Sequence, residues 1–361
     1  MRRISFLALV FGWIVSASWL HAQGEIITFD APGAGTGPFQ GTLPQQITPA
    51  GTTVGYYRDI NSVSHAFVRS AHGVVMVFDV PGAGTGAGQG TRAMGMSQAR
   101  IVGIYIDANR ARHGFVRAPD GTITKFDVPG AGTDRGQGTF AASINAAGTV
   151  SGGYVDADGV GHGFVRTADG TITSFDPPGS AYTDLDTLGI NSAGTVAVPY
   201  YDSNSVYHGA LRAADGSITI FDVPGAGTGQ YQGTITEAIN VVGTIPGAYA
   251  DTNGAYHGFL RAPDGTITTF DVPGAGTGPF QGTIPGGNNP SGATSGQYLD
   301  ANSVSHGFVR NADGTIVTFD APGAGTDAGE GTNCFSVSPS GQAMGWYLDS
   351  NFTFHGFVGK P

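Results

Sequence analysis

The dipeptide Phe-Asp recurs along the chain at intervals of 46 to 49 residues, and this period constrains the fold more than any other feature of the sequence. A histidine recurs with a similar period. The Phe-Asp copies are Phe29-Asp30, Phe78-Asp79, Phe126-Asp127, Phe175-Asp176, Phe221-Asp222, Phe270-Asp271 and Phe319-Asp320. The histidines are His65, His113, His162, His208, His257, His306 and His355. Seven copies of each indicate seven repeated units.

One unit extends from Gly138 to Asp176 and has the pattern of four short strands. Runs of small, β-branched and aromatic residues alternate with turn residues, and Asp169-Gly170 is typical of a tight hairpin. The unit stops at Pro177, which cannot donate a hydrogen bond to a strand ladder. A four-stranded antiparallel meander of this length is typical of a propeller blade, which buries both faces only between neighbours. The sequence therefore predicts an all-β protein, a seven-bladed β-propeller of four-stranded antiparallel blades.

The two ends of the chain have the patterns of complementary parts of one unit. Residues 25–30 correspond to a fourth strand, and residues 355–361 correspond to a third strand. An open stack of units would leave two unpaired strand edges. We therefore expect the N-terminal strand to pair with the C-terminal blade and close a ring, so that residues 23–361 form a single domain.

The repeat resembles the HAF-type extracellular repeat family, which takes its name from a His-Ala-Phe motif. That motif stands here at residues 65–67 and as His-Gly-Phe in most other units. Supporting motifs are Ile-Asn-x-x-Gly at residues 144–148, Gly-Tyr-x-Asp at 153–156 and Phe-Asp-Val-Pro-Gly at 126–130. The resemblance covers essentially the whole chain after residue 22. It implies an exported bacterial repeat protein and carries no implied activity.

Residues 1–22 have the pattern of a signal peptide, with two arginines, an apolar run and small residues before Gln23. The sequence therefore predicts a secreted or periplasmic protein without membrane insertion. The formal net charge of −11 disfavours nucleic acid and anionic membranes as partners. The single cysteine, Cys334, excludes an intrachain disulfide. We expect a monomer.

The repeated histidines first suggest a metal centre. Their repetition places equivalent atoms in separate blades, too far apart to share one ion. We interpret them as structural, each hydrogen-bonded to an aspartate or carbonyl of its own blade. The repeated tyrosines, such as Tyr57 and Tyr154, are interpreted in the same way as packing residues.

Two other motifs resemble ligand sites. The glycine-rich segment 33–37 imitates a phosphate-binding loop, but it precedes no helix and carries no Lys-Ser or Lys-Thr pair, so we interpret it as a crossover between blades. The segment 156–159 resembles the start of a calcium loop, although Thr167 stands where a bidentate acid belongs. An aspartate-stabilised turn is the preferred interpretation, and calcium is the alternative. The sequence predicts no cofactor and no metal site, and it predicts that Cys334 is a small buried residue.

A site for one ligand is expected where the units differ. If the first strand of each blade is innermost, its variable residues lie near a central channel. One variable position is occupied by Gln45, Met94, Ala142, Leu188, Glu237, Gly286 and Phe335. The candidate binding residues are Arg92, Tyr182, Asp184, Asp186 and Glu237. The four charged residues, Arg92, Asp184, Asp186 and Glu237, could form a charged patch at one channel mouth, or they could be unconnected surface charges on different blades.

The sequence favours a non-catalytic, exported propeller that recognises an extracellular polysaccharide or protein. A hydrolase or lyase acting at the channel mouth is one alternative, because paired carboxylates can perform acid-base chemistry. A purely structural surface protein is another. Clustering of Asp184, Asp186 and Glu237 in one pocket would favour the enzyme, and their dispersal would favour binding or structure.

Overall fold

The structure, a computed structural model, describes residues 25–185 and 188–361. All regular secondary structure in these two ranges is β-strand, which confirms the predicted all-β class. The predicted signal peptide, residues 1–22, lies outside the described ranges, and so does the candidate residue Asp186. No helix in the described ranges is long and apolar enough to cross a membrane.

The strands pair along the chain in antiparallel groups of four. The first groups are β2 (Gly41–Ile47), β3 (Thr53–Arg58), β4 (Ser64–Arg69) and β5 (Val75–Phe78), then β6 (Gly90–Ser97), β7 (Arg100–Ile106), β8 (Arg112–Arg117) and β9 (Ile123–Phe126), then β10 (Gly138–Ile144), β11 (Val150–Val155), β12 (Gly161–Arg166) and β13 (Ile172–Phe175).

The same pattern continues through the second half of the chain. Its groups are β14 (Tyr182–Thr183), β15 (Val196–Tyr201), β16 (Tyr207–Arg212) and β17 (Ile218–Phe221), then β18 (Gly233–Thr236), β19 (Ile245–Ala250), β20 (Tyr256–Arg261) and β21 (Ile267–Phe270), then β22 (Gly282–Asn288), β23 (Thr294–Leu299), β24 (Ser305–Arg310) and β25 (Ile316–Phe319).

A last group combines both ends of the chain. It consists of β26 (Gly331–Val337), β27 (Ala343–Leu348), β28 (Phe354–Gly359) and β1 (Ile26–Phe29). The strand β1 pairs with β28 in antiparallel register, with Ile26 opposite Gly359 and Phe29 opposite Gly356. The N-terminal strand therefore supplies the fourth strand of a group whose other three strands are C-terminal.

Neighbouring groups are in contact at one end of their strands. There, the first residue of a group's first strand pairs with the first residue of the third strand in the preceding group. Gly41, for example, pairs in parallel with Phe354. Gly41 has φ 107°, and a Cβ atom there would collide with the carbonyl oxygen of Phe354. Only glycine accepts both this backbone conformation and this close approach. Most other first strands begin with a glycine in the same position, at Gly90, Gly138, Gly233, Gly282 and Gly331.

The core lies between groups rather than inside any one of them. Phe164 of β12 is fully buried and meets the ring of Phe126, from the preceding group, edge to face at 6.0 Å. Arg166 lies over the same Phe126 ring, with its guanidinium carbon 4.9 Å from the ring centre. Equivalent Phe–Phe contacts are Phe29–Phe67, Phe78–Phe115, Phe221–Phe259, Phe270–Phe308 and Phe319–Phe357. A group is therefore stable only against its neighbours.

Two first strands are shorter than the others, and proline explains where they stop. The amide of Asp184 donates to the carbonyl of Pro199, and the amide of Glu237 donates to the carbonyl of Pro246. Neither proline can donate a hydrogen bond in return, so the regular ladder ends at β14 and β18.

Removing one core ring tests this packing. Phe164→Ala deletes a fully buried side chain at a contact between groups, so we expect the free energy of unfolding to fall by about 3–5 kcal/mol. Denaturant titration measures the change. Ile60→Ala, at a side chain 78% exposed, is the control and should leave the midpoint nearly unchanged. Equal midpoints for the two variants would contradict packing between groups.

Candidate functional site

The repeated histidines belong to structural networks within their groups. Each donates from Nδ1 to the aspartate of the adjacent Phe-Asp pair, as His65 does to Asp79 at 2.8 Å. Each also stacks on the repeated tyrosine, as His65 does on Tyr57 with ring centres 5.0 Å apart. The other Nδ1 bonds are His113–Asp127, His162–Asp176, His208–Asp222, His257–Asp271, His306–Asp320 and His355–Asp30. The predicted hydrogen bond within each unit is confirmed.

A second aspartate faces the other ring nitrogen of each histidine. Asp156 Oδ2 lies 3.3 Å from Nε2 of His162. Burial lowers the pKa of His162, but the hydrogen bonds and negative charges of Asp176 and Asp156 outweigh burial and raise it above its ordinary value. Asp156 Oδ1 also accepts from the amides of Asp158 and Val160 at 2.9 and 2.8 Å, which confirms the predicted aspartate-stabilised turn.

The glycine-rich segment 33–37 connects β1 to β2 and so links two different groups, as predicted. The predicted burial of Cys334 is also confirmed, since this residue lies on β26 and its side chain is buried. Burial raises the pKa of this thiol to about 12. A thiol with this pKa is protonated near neutral pH and is a poor nucleophile.

The variable position of the first strands lines one cavity. The cavity has a volume of about 500 Å³, and Gln45, Met94, Ala142, Leu188, Glu237, Gly286 and Phe335 all lie in its wall. These residues come from first strands or from the segments that follow β14 and β18. The predicted convergence of this position on a common space is confirmed.

Arg92 and Glu237 both line this cavity. Arg92 Nε donates to Ser64 Oγ at 3.2 Å, and its guanidinium lies 5.1 Å from the ring centre of Tyr56. Phe140 lines the same wall. The cavity therefore combines one cation, one carboxylate and aromatic surface.

Tyr182 and Asp184 lie elsewhere on the described surface and are not in the wall of this cavity. The ring of Tyr182 stacks on Tyr201 at 5.1 Å with an angle of 7° between planes. Burial, followed by the negative charge of Asp184, raises the pKa values of Tyr201 and Tyr207. Of the five candidate residues, the structure thus brings Arg92 and Glu237 to one cavity and places Tyr182 and Asp184 in a separate tyrosine cluster.

Sequence reasoning missed the contribution of second strands to the cavity. Tyr56 lies on β3, immediately before the repeated Tyr57 in the sequence, and its side chain lines the cavity. It also missed Tyr201, which stacks on Tyr182, and Tyr207, which contacts Tyr201. The available signal was that all three are aromatic at positions where most units carry other residue types.

No protein-family model matches the chain, and no curated protein matches its sequence. Solved structures match in fold. The BP39L lectin from Burkholderia pseudomallei has 12% identity and a TM-score of 0.57, over 86% of this chain and 93% of the lectin. The S511A mutant of puromycin hydrolase, complexed with PGG, has 11% identity and a TM-score of 0.56, over 85% of this chain and 50% of the hydrolase.

A third structure, one of two prolyl endopeptidases, has 12% identity and a TM-score of 0.53, over 93% of this chain and 50% of the peptidase. The chain thus spans about half the length of the hydrolase and the peptidase. The matched structures are β-propeller proteins. The chain shares their fold. At these identities the likeness extends to the fold alone.

The pair His355–Asp30 joins the two ends of the chain and makes stability depend on pH. The hydrogen bond to Asp30 is the main cause that raises the pKa of His355, and burial only partly opposes it. In the unfolded chain a histidine has a pKa of about 6.5. A histidine whose pKa is higher in the folded protein stabilises the fold fully at pH values below the unfolded-state pKa. This stabilisation is lost as the pH rises through the folded-state pKa. We therefore expect His355→Gln to destabilise the protein more at about pH 5.5 than at about pH 8.5.

Denaturant titrations of wild type and variant at both pH values measure this difference. His72→Gln, at an exposed hairpin histidine, is the control and should cost little at either pH. An effect of His355→Gln that is the same at both pH values would contradict the proposed linkage.

Proposed function

We propose that the groups of strands form a closed, seven-bladed ring. The pairing of β1 with β28 supports closure, because it unites residues from the two ends in one group. The cavity supports the blade count, because the variable position of every unit contributes to its wall. In a ring, first strands would be innermost and would surround such a space.

We further propose that the chain is an exported protein of the HAF-type repeat kind, with residues 1–22 as signal peptide and residues 23–361 as one propeller domain. The His-Ala-Phe and related motifs support the assignment. Within the described part of the chain, these motifs supply the histidine network of each unit and the buried phenylalanine of six units, with Ala210 in its place in the other. We propose that the protein is a monomer. The formal net charge of the full sequence, −11, would repel both nucleic acid and anionic membranes.

The function that the geometry supports best is non-catalytic binding of an extracellular polysaccharide or protein. The observation that carries this proposal is the cavity in which Arg92 and Glu237 converge with the rings of Tyr56, Phe140 and Phe335. A concave site with aromatic walls and a few convergent polar groups is typical of ligand binding. We propose that this binding needs no cofactor.

One observation favours binding over the hydrolase alternative. Glu237 lines the cavity and Asp184 does not, so the structure does not bring these two carboxylates to one pocket, as the hydrolase alternative would require. A purely structural role would not explain why charged and aromatic residues that do not repeat converge on this cavity.

Closure of the ring can be tested with a disulfide between the ends. Ile27 lies opposite Val358 in the register of β1 and β28, and opposed residues are close enough for a disulfide. We expect Ile27→Cys/Val358→Cys to form a bond on oxidation and to raise the free energy of unfolding by about 3–5 kcal/mol. Non-reducing electrophoresis and denaturant titration measure both effects.

The single variant Ile27→Cys is the control for this cross-link. It should form no intrachain disulfide and gain no stability, because Cys334 is buried and its thiol is protonated. Failure of the double variant to form the bond would count against closure.

Binding can be tested by passing residues 23–361 over immobilised polysaccharides and cell-envelope proteins. We expect retention at micromolar concentration, and we expect Arg92→Gln/Glu237→Gln to weaken it about tenfold, because both charged groups of the cavity wall are changed. Asp313→Asn, at an exposed hairpin, is the control. Absence of any retention would contradict the binding function, and release of reducing ends or peptides would favour the hydrolase.

A further inference from the structure

Six aromatic side chains follow one another at the end of the fold where first strands begin. We call them the tyrosine strip, and they are Tyr182, Tyr201, Tyr207, Tyr231, Tyr256 and Phe280. Tyr182 begins β14, Tyr201 ends β15, and Tyr207 begins β16. The other three belong to β20 or to the loops that precede β18 and β22. Because the meander alternates in direction, all six positions lie at the same end of their strands.

Contacts connect the members of the tyrosine strip. The stacked pair Tyr182–Tyr201 continues to Tyr207, whose ring centre is 5.7 Å from that of Tyr201 at an angle of 79°. Burial raises the pKa of Tyr207, and the surrounding Asp184, Tyr201, Tyr256 and Tyr231 raise it further. Tyr207 is therefore within electrostatic range of the next members.

The last contact of the strip is between Tyr256 and Phe280, whose ring centres are 6.5 Å apart at an angle of 57°. Tyr207 and Tyr256 begin the third strands of adjacent groups. The strip therefore extends across several groups of strands rather than lying in one of them.

The position of Tyr182 depends on a second departure from the repeat. Tyr182 begins its first strand where most others begin with glycine, as at Gly138. The neighbouring third strand begins with Gly161, where other groups carry larger residues such as Arg112. A Cβ atom at Gly161 would lie 2.5 Å from Cζ of Tyr182. The large and small residues have thus exchanged places, and the space that Tyr182 occupies exists only because Gly161 has no side chain.

Two members of the strip hold unfavourable backbone conformations. Tyr231 has φ 62° and Phe280 has φ 63°, in the left-handed region that bulky residues avoid. The same position is glycine in three other units, at Gly88, Gly136 and Gly329, and phenylalanine in one, at Phe39. The rings nevertheless remain 55% and 64% exposed, so burial does not compensate for the strain. Strained residues with exposed apolar side chains are typical of functional surfaces.

The chemistry of the strip selects the class of ligand. Its members are flat rings, five of them with a hydroxyl group, and no aliphatic or basic side chain is among them. Such rings pack against the C–H face of a sugar. Phenol groups can donate hydrogen bonds to the sugar hydroxyls or accept them, and carboxylate groups accept them. The net charge of −11 and the adjacent Asp184 repel polyanions. A row of rings across several groups offers contacts to successive sugars of a chain.

We propose that the tyrosine strip binds a neutral polysaccharide, with successive sugars packed on its rings. This inference rests on the proposed binding function and assigns to it a ligand class and a surface distinct from the cavity. The polysaccharide contacts Tyr231 and Phe280 through their exposed faces. The stacked tyrosines of β14, β15 and β16 continue the same surface.

The test removes the exposed rings without loss of stability. Tyr231→Gly/Phe280→Gly introduces the residue that other units already use at this position, so the variant should melt no lower than wild type. Phe39→Gly is the matched control, since Phe39 has φ 59°, is 56% exposed and packs on Phe352 outside the strip. Thermal melts establish that all three proteins are folded.

Residues 23–361 are examined by affinity electrophoresis and pulldown with soluble β-glucan, xylan and galactomannan, with insoluble cellulose and chitin, and with alginate as a polyanion. We expect at least one neutral polysaccharide to be retained and alginate to be excluded. The double variant should bind that polysaccharide about tenfold more weakly, whereas Phe39→Gly should bind it as wild type does.

The outcomes separate the two proposals. Neutral polysaccharide binding that the double variant leaves unchanged would overturn the role of the strip and leave the binding function standing. Retention of alginate alone, or of envelope proteins alone, would also overturn the role of the strip and leave the binding function standing. Absence of retention by every polysaccharide and protein would overturn both.

Discussion

The architecture depends on apolar contact between neighbouring groups of strands. A four-stranded meander has two faces to bury and cannot bury either one against itself. Here Phe164 inserts beside Phe126 of the preceding group, and Arg166 covers the exposed side of that ring. The groups approach so closely that Gly41 has no room for a side chain. Packing between groups therefore explains both the repeated phenylalanine and the repeated glycine.

The polar repeat positions support the same architecture. The imidazole of His65 is held between a tyrosine ring and the carboxylate of Asp79, and the same arrangement recurs in the other groups. Asparagines add links between groups, since Asn145 Nδ2 donates to the carbonyl of Asn191 and Asn240 Nδ2 donates to that of Asn289. These titratable and amide groups are engaged in the framework, so the proposed binding surfaces are built from residues that do not repeat.

Departures from the repeat are concentrated at one end of the strands. Arg92 and Phe140 enter the cavity close to the start of their first strands, and Tyr182 replaces the glycine at which most first strands begin. Tyr231 replaces another glycine at the cost of an unfavourable φ. The framework thus carries two different surfaces at the same end, a cavity with separated charges and a strip of aromatic rings. An extended ligand could engage both.

The sequence by itself determined the all-β class, the repeat boundaries, the hydrogen bonding of each histidine within its own unit and the residues of the first strands that share a cavity. Each of these follows from a strict period, which assigns the same environment to equivalent residues. Only the tertiary structure separated Asp184 from Glu237 and showed that Tyr182 stacks on Tyr201 and that Tyr201 contacts Tyr207. The repeat brings these three backbone positions together, because the equivalent positions of the preceding group, Gly138, Val155 and Gly161, pair in the same register. The position of the Tyr182 ring depends in addition on the space beside Gly161, which belongs to the preceding group, and the period does not encode this effect.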